Sequence, residues 1–112
     1  MINKKQLKNR NKIAKQLLGK EIALSTFYRD ELEDESLGLS LEEQAYKKRV
    51  VKAVDRMFAV ESDELASFVG MKFIDNCTMQ EVCDALCISQ STYYVWRSKV
   101  IRDFSVLIGI PV

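Results

Sequence analysis

TMQEVCDALCISQSTYYVWRSK, residues 78–99, is the stretch that decides the fold. Thr78-Met-Gln-Glu81 has the form of a capping box, in which a hydroxyl accepts the amide three residues on and a carboxylate reaches back. It predicts a short helix over 79–86 with Val82, Ala85 and Leu86 inward. Cys87 and Ile88 make a turn, and Ser89 caps a second helix over 90–108 that Gly109 and Pro111 end. Ala85 is small enough for the second helix to cross closely, and Ile88 plugs the corner. The whole is a helix-turn-helix pattern, with two cap signals eleven residues apart.

The second helix sorts its faces by period. Tyr93, Trp96, Val100, Phe104 and Leu107 recur every three or four residues and predict a core stripe, with Trp96 buried. Gln90, Ser91, Tyr94 and Arg97 fall mostly away from it, near the helix start. Those side chains suit a DNA major groove: Gln bonds adenine in bidentate fashion, Arg bonds guanine or phosphate, and Ser and Tyr bond either. Lys99 and Arg102 are placed for phosphates. The plainer reading of the same face is a solvated surface, since short helical hairpins also occur in bundles that bind no DNA.

Upstream, helix signals continue. Residues 3–18 carry Leu7, Ile13 or Ala14, and Leu17 or Leu18 on one side, with Gly19 as a stop. Residues 20–39 read either as a second helix or as a linker that Gly38 breaks. Ser40-Leu-Glu-Glu43 is another capping box, and it opens a helix over 41–60 with Tyr46, Val50, Val54, Met57 and Phe58 on one face. Ser62 or Asp63 caps a helix over 63–75 with Leu65, Phe68, Val69 and Phe73 inward. Gly70 costs that helix about 1 kcal/mol against Ala, which a close helix approach would explain. The expected organisation is a basic helix and acidic connecting segment over 1–39, then a helical domain over 40–112 with the helix-turn-helix at about 78–108.

A net charge of +1 conceals strong segregation. Residues 1–20 hold seven Lys/Arg and no acid, residues 21–43 are net −7, and residues 44–56 are net +4. Local potential decides nucleic-acid binding, so a near-neutral total does not exclude it. The basic start either clamps DNA backbone or pairs with the acidic 30–43 segment. Apolar residues make up 47% of the 112, enough for a core, and no run is long and apolar enough for a transmembrane helix. The start has no apolar signal-peptide region, so a cytoplasmic location is the expectation. Cys77, Cys83 and Cys87 read as small buried thiols rather than a metal site. With no histidine, no Gly-rich phosphate loop and no nucleophile-base pair, no catalysis, cofactor or metal is expected.

From about residue 41 to 109 the chain resembles the ArpU/RinA-type late-gene transcriptional regulators of phages and prophages in low-GC Gram-positive bacteria. The run EVCDAL-x-IS-x-STYY-x-W-x-x-KVI-x-x-F, residues 81–104, carries the resemblance. Those proteins resemble region 4 of sigma factors, which implies that Gln90, Ser91, Tyr94 and Val95 face the groove. The expectation is therefore an all-α small helical domain ending in a sigma-region-4-like helix-turn-helix. It would bind double-stranded DNA to regulate transcription, with host RNA polymerase and further copies of the chain as other candidate partners and no membrane. The rival expectations are a small terminase subunit and a protein-interaction module working through its acidic patch.

Overall fold

The structure is a computed structural model that describes residues 4–109, except for the side chains of residues 7–11. The expectations for Leu7 as a core residue and for Pro111 as a stop lie outside the described residues. Among the described residues the fold is all helical, with no strand. Its helices are α1 (Lys4–Glu33), α2 (Leu41–Val60), α3 (Asp63–Val69), α4 (Met79–Leu86) and α5 (Gln90–Leu107). None is long and apolar enough to cross a membrane.

Gly19 does not end a helix: α1 runs through it for 30 residues, about 45 Å at 1.5 Å per residue. Its inner face is Leu18, Ile22 and Ser25, all buried, and the Ser25 hydroxyl is satisfied by donating to the Ile22 carbonyl at 2.7 Å. Gly19 serves close approach instead. A Cβ there would stand 3.3 Å from the Phe73 ring, whereas one on Gly70, where close approach was expected, would meet nothing within 4 Å. After α1, Asp34 caps a 3-10 turn (Glu35–Leu37), and Gly38 reverses the chain in the left-handed region at φ 60°. The expected division at 39/40 falls here, while one core takes residues from both sides of it.

Two ion pairs hold α2 across the second half of α1: Arg29 with Asp55 at 2.6 Å, and Lys47 with Glu31. Lys47 also lies over the Tyr28 ring. The Ser40 cap forms, its hydroxyl accepting the Glu43 amide at 3.1 Å. The reach-back is made by Gln44 to the Leu39 carbonyl rather than by Glu43. Val50, Ala53, Val54 and Met57 are buried; Tyr46 and Phe58, expected beside them, are exposed at the stripe's edges. Ser62 caps α3, which widens into a π turn over Gly70–Ile74 and reverses at Asn76, φ 55°. An asparagine tolerates that left-handed conformation better than most residues.

Phe68 joins these elements. It is fully buried, and the rings of Phe73, Tyr93 and Trp96 stand edge-on to it at 6.4, 5.3 and 5.9 Å. Such contacts add to the area buried by each ring. The α5 stripe is Tyr93, Val100, Ile101, Phe104 and Ile108; Trp96 and Leu107 are only half-buried, so the expected burial of Trp96 is corrected. Truncation of Phe68 removes the common contact. Phe68→Ala is expected to cost about 3–5 kcal/mol in urea unfolding, with red-shifted emission from Trp96, the single tryptophan. A loss below about 1 kcal/mol would show that the rings pack without it.

Candidate nucleic-acid interface

The α4–α5 corner is built by its caps. At the start of α4, Thr78 Oγ1 accepts the Glu81 amide at 3.2 Å and Glu81 accepts the Thr78 amide at 2.9 Å, completing the box. The Thr78 backbone bond, then its side-chain bond, hold the Glu81 carboxyl below the usual range. The box is therefore intact at neutral pH and is lost as pH falls through that lowered value. Val82 is buried, with Cys83 and Leu86 half-buried beside it; Ala85 points outward, contrary to expectation, so the crossing does not rest on it. Cys87 ends α4 in the left-handed region at φ 55° with its side chain exposed, which corrects its reading as a buried thiol. The Ile88 amide donates to the Cys83 carbonyl at 3.1 Å, and Ile88 packs on the core as the corner plug. Ser89 then accepts the Thr92 amide at 3.1 Å and starts α5.

Gln90, Ser91, Tyr94, Arg97, Lys99 and Arg102 are all exposed. The structure does not group them equally. At about 100° per residue, Arg97, Gln90, Tyr94, Ser98 and Ser91 span one continuous arc of α5, with Arg102 just beyond it. The Arg97 guanidinium lies 5.2 Å from the Tyr94 ring centre, and Tyr94 stands edge-on to the buried Tyr93 at 5.4 Å. The arc is thus ordered from below. Lys99 sits two residues on from Arg97 and so about 160° round the helix. It donates to Asp103 at 2.7 Å and lies 3.6 Å from Glu61 at the end of α2. The bond to Asp103 holds the Lys99 ammonium above its ordinary range, so its charge is committed within the protein.

Beside the arc runs an open groove of about 1040 Å³. Its walls carry Lys4, Lys12, Lys15 and Lys20 from α1, Lys72 from the π turn and Arg97 from α5, and among the described residues no carboxylate lines it. None of these six cations is in an ion pair among the described residues. The contact of Gly19 with Phe73 forms the groove floor, bringing the basic half of α1 alongside α5. Within the acidic segment Glu31 pairs with Lys47 and Asp34 serves as a cap.

A family model described as "Protein of unknown function (DUF1492)" matches residues 28–105. The chain belongs to the DUF1492 family. In this DUF1492 protein the match takes in α2, α3, α4 and most of α5, and stops short of the basic half of α1. No curated protein and no solved structure matches the chain.

Sequence reasoning missed Lys72, Asn76 and Ser98 as neighbours of the DUF1492 arc. Lys72 is an isolated base in an acidic stretch, and only the π turn brings it to the groove. Two substitutions test the corner. Ser89→Ala is expected to cost about 1 kcal/mol and to speed hydrogen exchange in the first turn of α5. Cys87→Gly is expected to gain about 1 kcal/mol, because glycine adopts the left-handed conformation without the Cβ penalty. Opposite signs in urea unfolding check the corner geometry; a destabilising Cys87→Gly would contradict it.

Proposed function

We propose that this protein binds double-stranded DNA in a sequence-specific manner, with α5 in the major groove, and regulates transcription. The observation that supports the reading most is the adjacency of two surfaces. An arc of base-reading side chain types, Gln90, Ser91, Tyr94 and Arg97, borders a groove with six cations and no acid. A major groove about 12 Å wide admits a helix, and Gln and Arg at its start can meet base edges. The groove between α1 and α5 then follows the adjacent phosphates, where Lys12, Lys15 and Lys72 act without sequence preference. Ser89 takes the Thr92 amide, and the Gln90 and Ser91 amides before it suit a phosphate as well.

The α4–corner–α5 arrangement is read as a helix-turn-helix of the sigma-region-4 kind, with α4 crossing the backbone. The resemblance of residues 81–104 to ArpU/RinA-type regulators supports control of phage or prophage late genes as its use. Lys99 is left out of the interface on this reading, and Arg102 serves a phosphate at its edge.

The test is a fluorescence-anisotropy titration of the purified chain against duplexes tiling the DNA that flanks its own gene, with unrelated duplex as competitor. One segment is expected to bind selectively. On it, Gln90→Ala and Tyr94→Ala should each lose about 1–3 kcal/mol per base contact. Lys12→Gln, Lys15→Gln and Lys72→Gln together should weaken all sequences alike and flatten the slope of log affinity against log salt by about 0.9 per contact. Lys99→Gln should change neither quantity. Equal affinity for every duplex, or wild-type affinity in both alanine variants, would overturn the proposal.

A further inference from the structure

α1 carries an apolar seam that the fold leaves uncovered. Ile13, Leu17, Leu24 and Phe27 are 57%, 56%, 38% and 62% exposed. With Lys20 between them they occupy positions 13, 17, 20, 24 and 27, the alternating three- and four-residue spacing by which helices pair side by side. The seam lies away from the face of α1 that buries Leu18, Ile22 and Ser25. It meets the groove wall at Lys20, while Lys12, Lys15 and Gly19 turn away from it by helical period. Four large apolar side chains in one row on a single helix are more than scattered surface hydrophobes, and mark a contact surface.

We infer that the occupant is a second copy of this chain, its α1 antiparallel to the first about a two-fold axis near residue 20. Two features of the sequence select this partner and this direction. The apolar positions are nearly symmetric about that point. Ile13 falls opposite the partner's Phe27 and Leu17 opposite the partner's Leu24, as a two-fold interface requires. Charge is complementary in the same sense. The first part of α1, residues 4–20, holds only bases, while its end holds Asp30 and Glu33, with Glu31 already paired with Lys47. Antiparallel pairing lays each basic end along the partner's acidic end and sets Lys20 next to the partner's Glu21. Parallel pairing stacks like charges along the whole seam, which opposes association. The dimer takes Lys20 from the groove wall and leaves the α5 arc, Lys12, Lys15 and Lys72 uncovered, and it does not depend on the DNA-binding reading.

Equilibrium sedimentation of the full chain tests this directly. A mass of twice 12.9 kDa is expected. The double variant Leu17→Gln/Phe27→Gln should sediment as a monomer with unchanged helical circular dichroism, because both side chains are solvent-exposed in the single chain. Direction is read by disulfide trapping in a Cys87→Ser background. Lys20→Cys should cross-link to its own mate at the axis. Ile13→Cys should not, since in the antiparallel register the two copies of residue 13 lie about 20 Å apart. A wild-type monomer, a double variant that remains dimeric, or trapping at residue 13 in place of residue 20 would overturn the inference. Loss of DNA binding with the dimer intact would count against the DNA reading alone.

Discussion

The fold depends on Phe68. One buried ring contacts Phe73, Tyr93 and Trp96 edge-on and so ties the π turn and the start of α5 to α3. That contact sets the rotation of α5 about its axis. With Tyr93 inward and Trp96 half-inward, Gln90, Tyr94 and Arg97 have nowhere to face but solvent. Phe73 passes the constraint on. Its ring lies against Gly19, where any side chain would crowd it, and this holds the lysine-bearing half of α1 beside α5. A glycine in mid-helix costs about 1 kcal/mol against Ala, and here the cost is offset by the seating of one helix on a ring.

Electrostatics divide the molecule into satisfied and unsatisfied regions. Several carboxylates have local partners: Glu31 with Lys47, Asp55 with Arg29, Asp34 with the turn it caps. Lys99 is held by Asp103 and Glu61. Glu61 is pushed above the usual carboxylate range, first by its hydrogen bond with Asp103 and then by partial burial. Among the described residues the groove cations have no such partners. Clustered like charges repel and weaken a compact state, so a surface that gathers them without acids gains nothing in stability and attracts a polyanion.

How much of this was legible in the sequence depended on whether the signal was local. The bounds of α2, α4 and α5 follow from Ser40, Thr78 and Ser89, because a cap is written within four residues. The inward face of α3, and Tyr93, Val100 and Phe104 of α5, follow from period. The continuity of α1 was not legible, because Gly19 reads as a stop unless the distant Phe73 is known to need the space. Ala85 and Trp96 were misplaced for a related reason. Val82 and Cys83 suffice to pack α4, and the indole meets only the edge of Phe68. Lys72 joins the groove through a π turn that no short motif announces. The six proposed contacts on α5 were each found exposed, but only the structure separated Lys99 from the rest.

The central claim is that the exposed arc of α5 and the basic groove act together on duplex DNA. The most direct measurement is a two-dimensional amide NMR titration of the labelled chain with a duplex from its own flanking DNA. Shift changes are expected in the first two turns of α5, in α1 around Lys12 to Lys20 and at Lys72, with the Lys99–Asp103–Glu61 cluster unmoved. Changes confined to the acidic stretch around Asp30 to Glu43, or none at saturating duplex, would contradict the account.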